Sequence, residues 1–200
     1  MILRSAPPSP FGRKVKLAAA ILHLSDRITI VAADTNADEE LRKQNPLSKI
    51  PVLVLDDGRT LFDSRVILEY LDHLAGGGRI LPGDTEPRFA ALRLQALCDG
   101  IMDASILRVY EARYRPEEIR HQPWLDMQAG KVTRGLAALE AETPSLDAVP
   151  NVGQIALACA LGYQDLRFKG EWRASYPKLV AWLERFAAQV PAFAATKVEP

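Results

Sequence analysis

Two short stretches of the sequence place polar side chains where helices are predicted to begin. Ser9 precedes Pro10, the pattern of an N-cap residue followed by proline at the first helical position. Asp63 and Ser64 stand in a similar way before a second helical pattern. A helix start offers free N–H groups and the positive end of the helix dipole, so each position suits an anionic group. The alternative interpretation is that these residues only cap their helices.

The stretch NPLSKIPVLVL, from Asn45 to Leu55, raises a separate question about the backbone. Pro51 begins an apolar run that otherwise predicts a buried strand. Proline cannot donate a ladder hydrogen bond, so strands carry it at edges, first positions or bulges. It also marks cis peptide bonds, which occur almost only before proline. The residues alone leave both explanations open.

The elements around these residues alternate between strand and helix patterns over residues 1–75. Short apolar or β-branched runs predict strands at residues 1–5, 28–32, 51–55 and 59–62. The turn sequence DDG at residues 56–58 joins the last two strands as a hairpin. Apolar residues at helical spacing predict helices at residues 10–24, 38–44 and 66–74. The predicted order is β-α-β-α-β-β-α, which is an α/β domain.

The remainder of the chain predicts a second domain made only of helices. Residues 76–84, with three glycines and a Pro-Gly pair, predict a linker. Residues 85–200 carry helical patterns at 85–114, 124–142, 152–168 and 177–189. Asn151 can cap the third of these helices, with Gln154 reaching back in a variant capping box. That helix is apolar nearly all round, so we expect it at the centre of the domain.

Composition limits the partners that the chain can recruit. Its 25 basic and 25 acidic residues give a formal net charge of zero, so no global field attracts nucleic acid or anionic lipid. There is no leader pattern and no apolar run of about 18 residues, which predicts a cytoplasmic protein without a membrane span. Cys98 and Cys159 lie far apart in helical patterns and predict buried free thiols. His23, His73 and His121 lack ligand spacing, so we expect no metal site.

The order and spacing of these patterns resemble the cytosolic glutathione S-transferases, in particular bacterial members with Ser-Pro-Phe at the first helix. The motifs that carry the resemblance are SPFGRKV from Ser9, NPLSKIPVL from Asn45, LFDSRVILEYL from Leu61, ILPGD in the linker, DGIMDA from Asp99 and IALACALGYQDLRF from Ile155. Asn151 and Gln154 depart from the family, which often has Ser or Thr followed by Asp three residues later, but they preserve the capping. The resemblance implies a thioredoxin-like N-terminal domain, an all-α C-terminal domain and a role in detoxification.

The resemblance also implies a site for glutathione as co-substrate. In this family the proline of the Ile-Pro pair is cis, so that Ile50, before Pro51, presents its backbone to the cysteinyl residue of glutathione. Ser64 and the first amides of its helix are implied to bind the γ-glutamyl carboxylate. Asp63 is implied to bind the ammonium group of the same glutamyl residue, and Lys49 to screen the glycyl carboxylate.

Ser9 is the implied catalytic residue, with Ser5 as the alternative hydroxyl. A free thiol has a pKa of about 8.5, and a hydroxyl donor at a helix start favours the thiolate. Ser9 would donate to the glutathione sulfur while it accepts from a helix amide. Related proteins with thiol-exchange activity carry Cys-Pro-Phe at this position, and serine cannot form their mixed disulfide. We therefore do not expect a thiol-disulfide reductase.

A small hydrophobic electrophile is implied to bind between the domains, near the sulfur. The first candidates on the long helix are Met102, Ile106 and Tyr110, and the further candidates are Asp99, Asp103, Phe168 and Trp172. The alternative is that these residues are core or dimer contacts, since the resemblance also implies a homodimer built from helices 66–74 and 89–110. Two functions remain open. One is a glutathione transferase, with or without glutathione peroxidase activity, and the other is a non-catalytic glutathione-binding or protein-interaction module with the same fold.

Overall fold

A mixed four-stranded sheet organises the first part of the chain in the computed structural model, which describes residues 1–198. Its strands stand in the order β2-β1-β3-β4 and comprise β1 (Ile2–Ser5), β2 (Thr29–Ala32), β3 (Val52–Val54) and β4 (Thr60–Leu61). β1 pairs in parallel with β2 and antiparallel with β3, and β3 pairs antiparallel with β4. Three helices alternate with the strands: α1 (Pro10–Ile21), α2 (Glu39–Gln44) and α3 (Ser64–Leu74). The predicted order of elements is confirmed.

The first helix differs from its prediction at its C-terminal end. α1 ends at Ile21 rather than at Leu24, because His23 adopts a left-handed conformation with φ 58°. A residue in that region cannot continue an α-helix and is a common way to end one. The helix start at Pro10, which positions Ser9, is as predicted.

Helices alone make up the second part of the chain within the described residues. They are α4 (Thr85–Tyr114), α5 (Gln122–Ala141), α6 (Val152–Arg167), α7 (Pro177–Gln189) and α8 (Ala192–Ala195). Residues 152–164 of α6 are all buried, and the helix packs against α4 and α1. Its start is a capping box, in which Asn151 accepts from the Gly153 and Gln154 N–H groups and Gln154 Oε1 accepts from the Asn151 N–H at 2.9 Å. The expected central helix and its capping box are confirmed.

The glycine-rich linker is tied to both parts of the chain. Asp72, in the last turn of α3, is buried, and its carboxylate accepts hydrogen bonds from the N–H groups of Gly78 (2.8 Å), Arg79 (2.9 Å) and Ile80 (2.7 Å). The Ile80 carbonyl in turn accepts from the Val152 N–H at 2.8 Å. Hydrogen bonds to a charged acceptor are stronger than neutral ones, so this carboxylate fixes the linker against α3 and α6.

The start of α1 lies where the two parts of the chain meet. α1 packs on α3 within the sheet domain, and it also packs on α6 and α8 of the helical part. The residues at its N-terminus therefore face a junction between elements that are distant in sequence. Within residues 1–198, none of the helices has both the length and the apolar character needed to cross a membrane.

Candidate functional site

Ser9 lies at the N-terminus of α1, where its hydroxyl already accepts one hydrogen bond. It is the N-cap of α1, its Oγ accepts from the Gly12 N–H at 3.1 Å, and Pro10 follows at the first helical position. A hydroxyl has one hydrogen to donate in addition to its acceptor lone pairs. Capping uses the acceptor side of Ser9 and leaves the hydrogen to donate to a ligand. The capping interpretation and the donor interpretation are therefore compatible in one geometry.

Ser5, the alternative hydroxyl, is buried at the end of β1. It is 1% exposed, and a Cβ added at Gly12 would come within 2.1 Å of its Oγ. α1 thus passes directly over the Ser5 side chain, which the absence of a side chain at Gly12 permits. Because no ligand atom fits between the two, Ser9 is the hydroxyl that faces open space.

The loop before β3 has the backbone geometry that the resemblance implies. The Ile50–Pro51 peptide bond is cis, which confirms that expectation. Asn45 braces the loop, since its Nδ2 donates to the Lys49 carbonyl at 2.9 Å and its Oδ1 accepts from the Leu47 N–H at 3.1 Å. Pro51 is buried, Ile50 is half-buried and the Lys49 side chain is exposed. A backbone edge is therefore held in place beside the sheet.

Asp63 and Ser64 occupy the start of α3 as predicted, with contrasting environments. Asp63 is the N-cap, its Oδ1 accepts from the Arg65 N–H at 3.0 Å, and its side chain is 59% exposed. Ser64 is 2% exposed, and its Oγ accepts from Lys14 Nζ at 3.2 Å. A carboxylate open to solvent and a buried hydroxyl thus stand side by side at one helix start.

Lys14 is a buried charged residue beside Ser64 that the sequence motifs did not reveal. Its side chain is 0% exposed, and Nζ contacts Asp99 Oδ1 at 2.6 Å as well as Ser64 Oγ. An ammonium group only donates hydrogen bonds, so the Ser64 hydroxyl accepts from Lys14 and its own hydrogen remains available to donate to another group. The available signal was its position: Lys14 lies three and four residues before the buried Leu17 and Ala18, on the apolar stripe of α1.

Charged groups from three elements meet near the start of α3. Asp99 of α4 is buried, and its second oxygen lies 3.4 Å from Arg65 Nε. Burial raises the pKa of Asp99, while the Lys14 ammonium acts in the opposite direction. Burial and the neighbouring Asp99 raise the pKa of Asp103, against Arg65 and Lys49, which lower it. The structure therefore brings Lys49 and the start of α3 into one electrostatic group with the acidic face of α4.

The two cysteines are buried, and Cys159 lies in the wall of the cavity described below. Cys98 and Cys159 are free and buried, as predicted. Burial raises the pKa of both thiols, to about 12 for Cys159, so both are protonated at neutral pH and poor nucleophiles. Within residues 1–198, His, Cys, Asp and Glu side chains form no group of three or more with the arrangement of a metal site.

A cavity of about 340 Å³ opens beside Ser9. Its walls come from the loop between β1 and α1, from α1 and α6 themselves, and from the C-terminal segment that includes and follows α8. Aromatic walls are provided by Tyr163 and Phe193. Burial raises the pKa of Tyr163, so its phenol stays protonated at neutral pH. A small molecule in this cavity would lie next to the Ser9 hydroxyl.

The three α4 residues predicted for an electrophile pocket differ in access, and none of them lines this cavity. Met102 is 0% exposed, because it lies on the face of α4 that also buries Cys98 and Ser105 in the core. Its side chain is thus covered by protein in this structure, and its place in an electrophile pocket remains a prediction. Ile106 is half-buried and Tyr110 is 40% exposed, so both side chains are at least partly open to solvent.

Comparison with known proteins gives a consistent result over both parts of the chain. Residues 8–74 match the family described as "Glutathione S-transferase, N-terminal domain", and residues 122–185 match "Glutathione S-transferase, C-terminal domain". The chain is 37% identical to the "Uncharacterized GST-like protein YibF" of Escherichia coli (strain K12), over 88% of each chain.

Solved structures agree with these matches. A glutathione transferase family member from Pseudomonas fluorescens Pf-5, solved with bound glutathione, is 40% identical with a TM-score of 0.91, over 100% of this chain and 98% of that one. A glutathione S-transferase from Methylobacterium radiotolerans, solved in complex with glutathione sulfonate, is 34% identical with a TM-score of 0.89, over 100% of this chain and 95% of that one.

Proposed function

The chain belongs to the glutathione S-transferase family, and on that premise we propose that it activates the thiol of glutathione through Ser9 for attack on a small electrophile. The observation that carries the proposal is the Ser9 hydroxyl itself. Its acceptor side is taken by the Gly12 N–H, its hydrogen is left to donate, and it borders an open cavity.

The residues at the loop before β3 and at the start of α3 fit a tripeptide that carries charges at both ends. We propose that the Ile50 backbone hydrogen-bonds the cysteinyl residue, as the cis bond before Pro51 permits. Ser64, whose hydroxyl keeps its hydrogen because Lys14 donates to it, and the first amides of α3 bind the γ-glutamyl carboxylate. The exposed Asp63 carboxylate binds the glutamyl ammonium, and Lys49 screens the glycyl carboxylate. Relatives solved with bound glutathione and glutathione sulfonate support glutathione as the ligand.

Thiol activation follows from the hydrogen-bond donor of Ser9 and the partial positive charge at the N-terminus of α1, both of which would face the sulfur. A thiol with a pKa of about 8.5 is only a few per cent ionised at neutral pH. A hydrogen bond from the Ser9 hydroxyl and the positive end of α1 both stabilise the thiolate, and each pKa unit of lowering corresponds to about 1.4 kcal/mol. The thiolate electron pair then forms a bond to the electrophilic atom, and the leaving group departs with the pair of the bond that breaks.

The reactivity of this thiolate determines which second substrates should be tested. Carbon electrophiles give a thioether, and hydroperoxides give an alcohol, water and glutathione disulfide from two glutathione molecules. Both are included in the proposal, the second as a glutathione peroxidase activity. Thiol exchange through an enzyme cysteine is excluded from it, because Ser9 holds that position and the cysteines are buried with raised pKa values.

We further propose a cytoplasmic homodimer as the working form. Apolar side chains on the outer faces of α3 and α4 are exposed in the single chain, namely Val66 (46%), Phe89 (64%) and Leu97 (39%). An isologous contact would cover one such patch on each of two subunits. Free buried thiols suit a reducing compartment.

Two measurements on purified protein test the proposal and separate it from a non-catalytic binding module. Calorimetry should give a Kd for glutathione between about 1 μM and 1 mM, the usual range for substrates. A chromogenic aryl halide and an organic hydroperoxide should then be turned over with glutathione, and Ser9→Ala should slow both reactions. Binding without turnover of any acceptor would favour the non-catalytic module. Absence of binding at millimolar glutathione would remove the proposal altogether.

A further inference from the structure

Most of the charged side chains that line the cavity beside Ser9 are basic. Its described walls contain three cationic side chains, Arg13, Arg173 and Lys197, and one carboxylate, Asp165. The rest of the lining is neutral and largely apolar. A cavity of about 340 Å³ with this lining suits a small molecule that carries an anionic group.

The single carboxylate is occupied by its own neighbours. Arg173 approaches Asp165 with both arms, Nε to Oδ1 at 2.9 Å and Nη2 to Oδ2 at 2.7 Å. The Trp172 indole donates to Oδ1 as well, at 2.8 Å. A bidentate guanidinium pair satisfies a carboxylate in charge and geometry. Arg173 rather than Arg13 therefore makes the direct contacts with Asp165, although the charge of Asp165 also acts on the nearby Arg13.

Arg13 is held at the cavity by neutral groups. Nε donates to Thr196 Oγ1 at 3.1 Å, Nη2 donates to the Phe193 carbonyl, and the guanidinium lies 4.1 Å from the centre of the Phe193 ring. A Cβ added at Gly162 would come within 2.5 Å of Nη1, so the glycine makes room for the guanidinium. Arginine stays charged at neutral pH, and its partners within residues 1–198 leave that charge without a contacting carboxylate.

We infer that the electrophile is a small carboxylic acid, and that the Arg13 guanidinium binds its carboxylate while the reactive carbon faces the sulfur at Ser9. The inference rests on the proposed function and specifies its second substrate. For an acid with a halogen on the carbon next to the carboxylate, the thiolate pair forms the C–S bond, the carbon–halogen bond breaks, and halide leaves with its electron pair. The product is a thioether whose carboxylate still faces Arg13, and no oxidant or reductant is needed.

A purely structural role for Arg13, as a clasp for the C-terminal segment, makes a different prediction. Loss of a residue that only holds the C-terminal segment in place would change the affinity for every ligand equally. Loss of a residue that pairs with the ligand's carboxylate would change the affinity only for ligands that carry that carboxylate. Arg13→Gln removes the charge and Arg13→Lys retains it. Thr196→Val removes a neutral partner of Arg13 but leaves the guanidinium in place. Arg59→Gln removes an arginine from the exposed turn between β3 and β4, where it pairs with Asp57, and serves as a remote control.

The experiment compares two conjugates that differ in one group, S-(carboxymethyl)glutathione and S-(carbamoylmethyl)glutathione, by calorimetry on the full chain. The wild type should bind the carboxylate about tenfold tighter than the amide, the size of one hydrogen bond to a charged group. Arg13→Gln should bring the ratio close to one, while Arg13→Lys retains part of it and the Thr196 and Arg59 variants keep it. A wild-type ratio of one, or equal losses for both conjugates in Arg13→Gln, would overturn the inference.

Unmodified glutathione, titrated in parallel, distinguishes a wrong substrate class from a failure of the proposed function. It places no group in the cavity, so wild type and Arg13→Gln should bind it alike. If glutathione binds and its thiol is activated while the conjugate ratio is one, the substrate class is wrong and the proposed function stands. If glutathione does not bind, the proposed function fails and the substrate class fails with it.

Discussion

The buried pair of Lys14 and Asp99 offers a prediction whose size follows from the structure. Their side chains are 0% and 3% exposed, and Nζ and Oδ1 lie 2.6 Å apart. Replacing Lys14 removes the cation in direct contact with the buried carboxylate and leaves only the longer contact between Asp99 and Arg65 at 3.4 Å. Breaking a buried pair in this way typically costs about 3–5 kcal/mol. We therefore expect Lys14→Met to lower the free energy of unfolding by that amount at pH 7.5. This is a large part of the roughly 5–15 kcal/mol that holds an ordinary domain together.

The loss should depend on pH in a defined direction. Without the Lys14 ammonium, which opposes the effect of burial, the pKa of Asp99 rises further above its unfolded value of about 3.9. A carboxyl whose folded pKa is raised favours the native state while it is protonated, and that contribution is lost as pH rises through the folded pKa. Lys14→Met should thus be closer to wild type at pH 5 than at pH 8.

Urea unfolding followed by tryptophan fluorescence measures both effects, since Trp182 is fully buried. Protein concentration is held fixed, because association would change apparent stability. The double variant Lys14→Met/Asp99→Leu carries no unpaired charge and should recover most of the loss. Lys43→Met breaks an exposed pair with Glu40 and should change stability by less than about 0.5 kcal/mol. A loss under about 1 kcal/mol for Lys14→Met at both pH values would show that the pair is open to water and refute the reasoning.

Three further predictions concern the glutathione site, the assembly and the central helix. Asp63→Ala should weaken glutathione binding by about 1.5–3 kcal/mol in calorimetry, the range for a hydrogen bond to a charged group, whereas Asp57→Ala in the remote turn should leave it unchanged. Light scattering at micromolar concentration should give twice the chain mass of 22.1 kDa, and Phe89→Glu should shift the protein toward the single mass; a monomeric wild type would contradict the dimer. Asn151→Ala removes a capping side chain and should cost about 1 kcal/mol in unfolding experiments, and an unchanged midpoint would mean that the cap contributes nothing.

The features that could be predicted are those encoded in adjacent residues. The cap at Ser9, the capping box at Asn151, the turn before β4 and the glycine linker each depend on a few consecutive positions. Helical and strand periodicity likewise located every major element to within a few residues. The main discrepancy, the early end of α1, depends on the left-handed conformation of His23, which is not a residue type that announces a helix end.

The features that could not be predicted depend on contacts between distant positions. Lys14 meets Asp99 across 85 positions, and Arg13 meets Thr196 across 183, so no local pattern reveals either contact. Both lysine and arginine would ordinarily be expected on the solvated face of a helix. The burial of Met102 could not be predicted for the same reason, because the α4 pattern does not show which of its faces packs against other helices. The fold was thus predictable largely from the sequence, and the cavity beside Ser9 was not.

The central claim is that Ser9 donates a hydrogen bond to the glutathione sulfur, and ultraviolet titration of the bound thiolate tests it most directly. Ser9→Ala removes the donor, at a capping cost of about 1 kcal/mol, and Ser9→Thr retains a hydroxyl as the matched control. If the donor contributes about 1.4–2.7 kcal/mol to the thiolate, the pKa of the bound thiol should rise by about one to two units in Ser9→Ala. The rate at neutral pH should fall, part of it should return at high pH, and Ser9→Thr should stay near the wild type. Identical titration curves for the wild type and Ser9→Ala would contradict the claim and leave Ser9 as a helix cap alone.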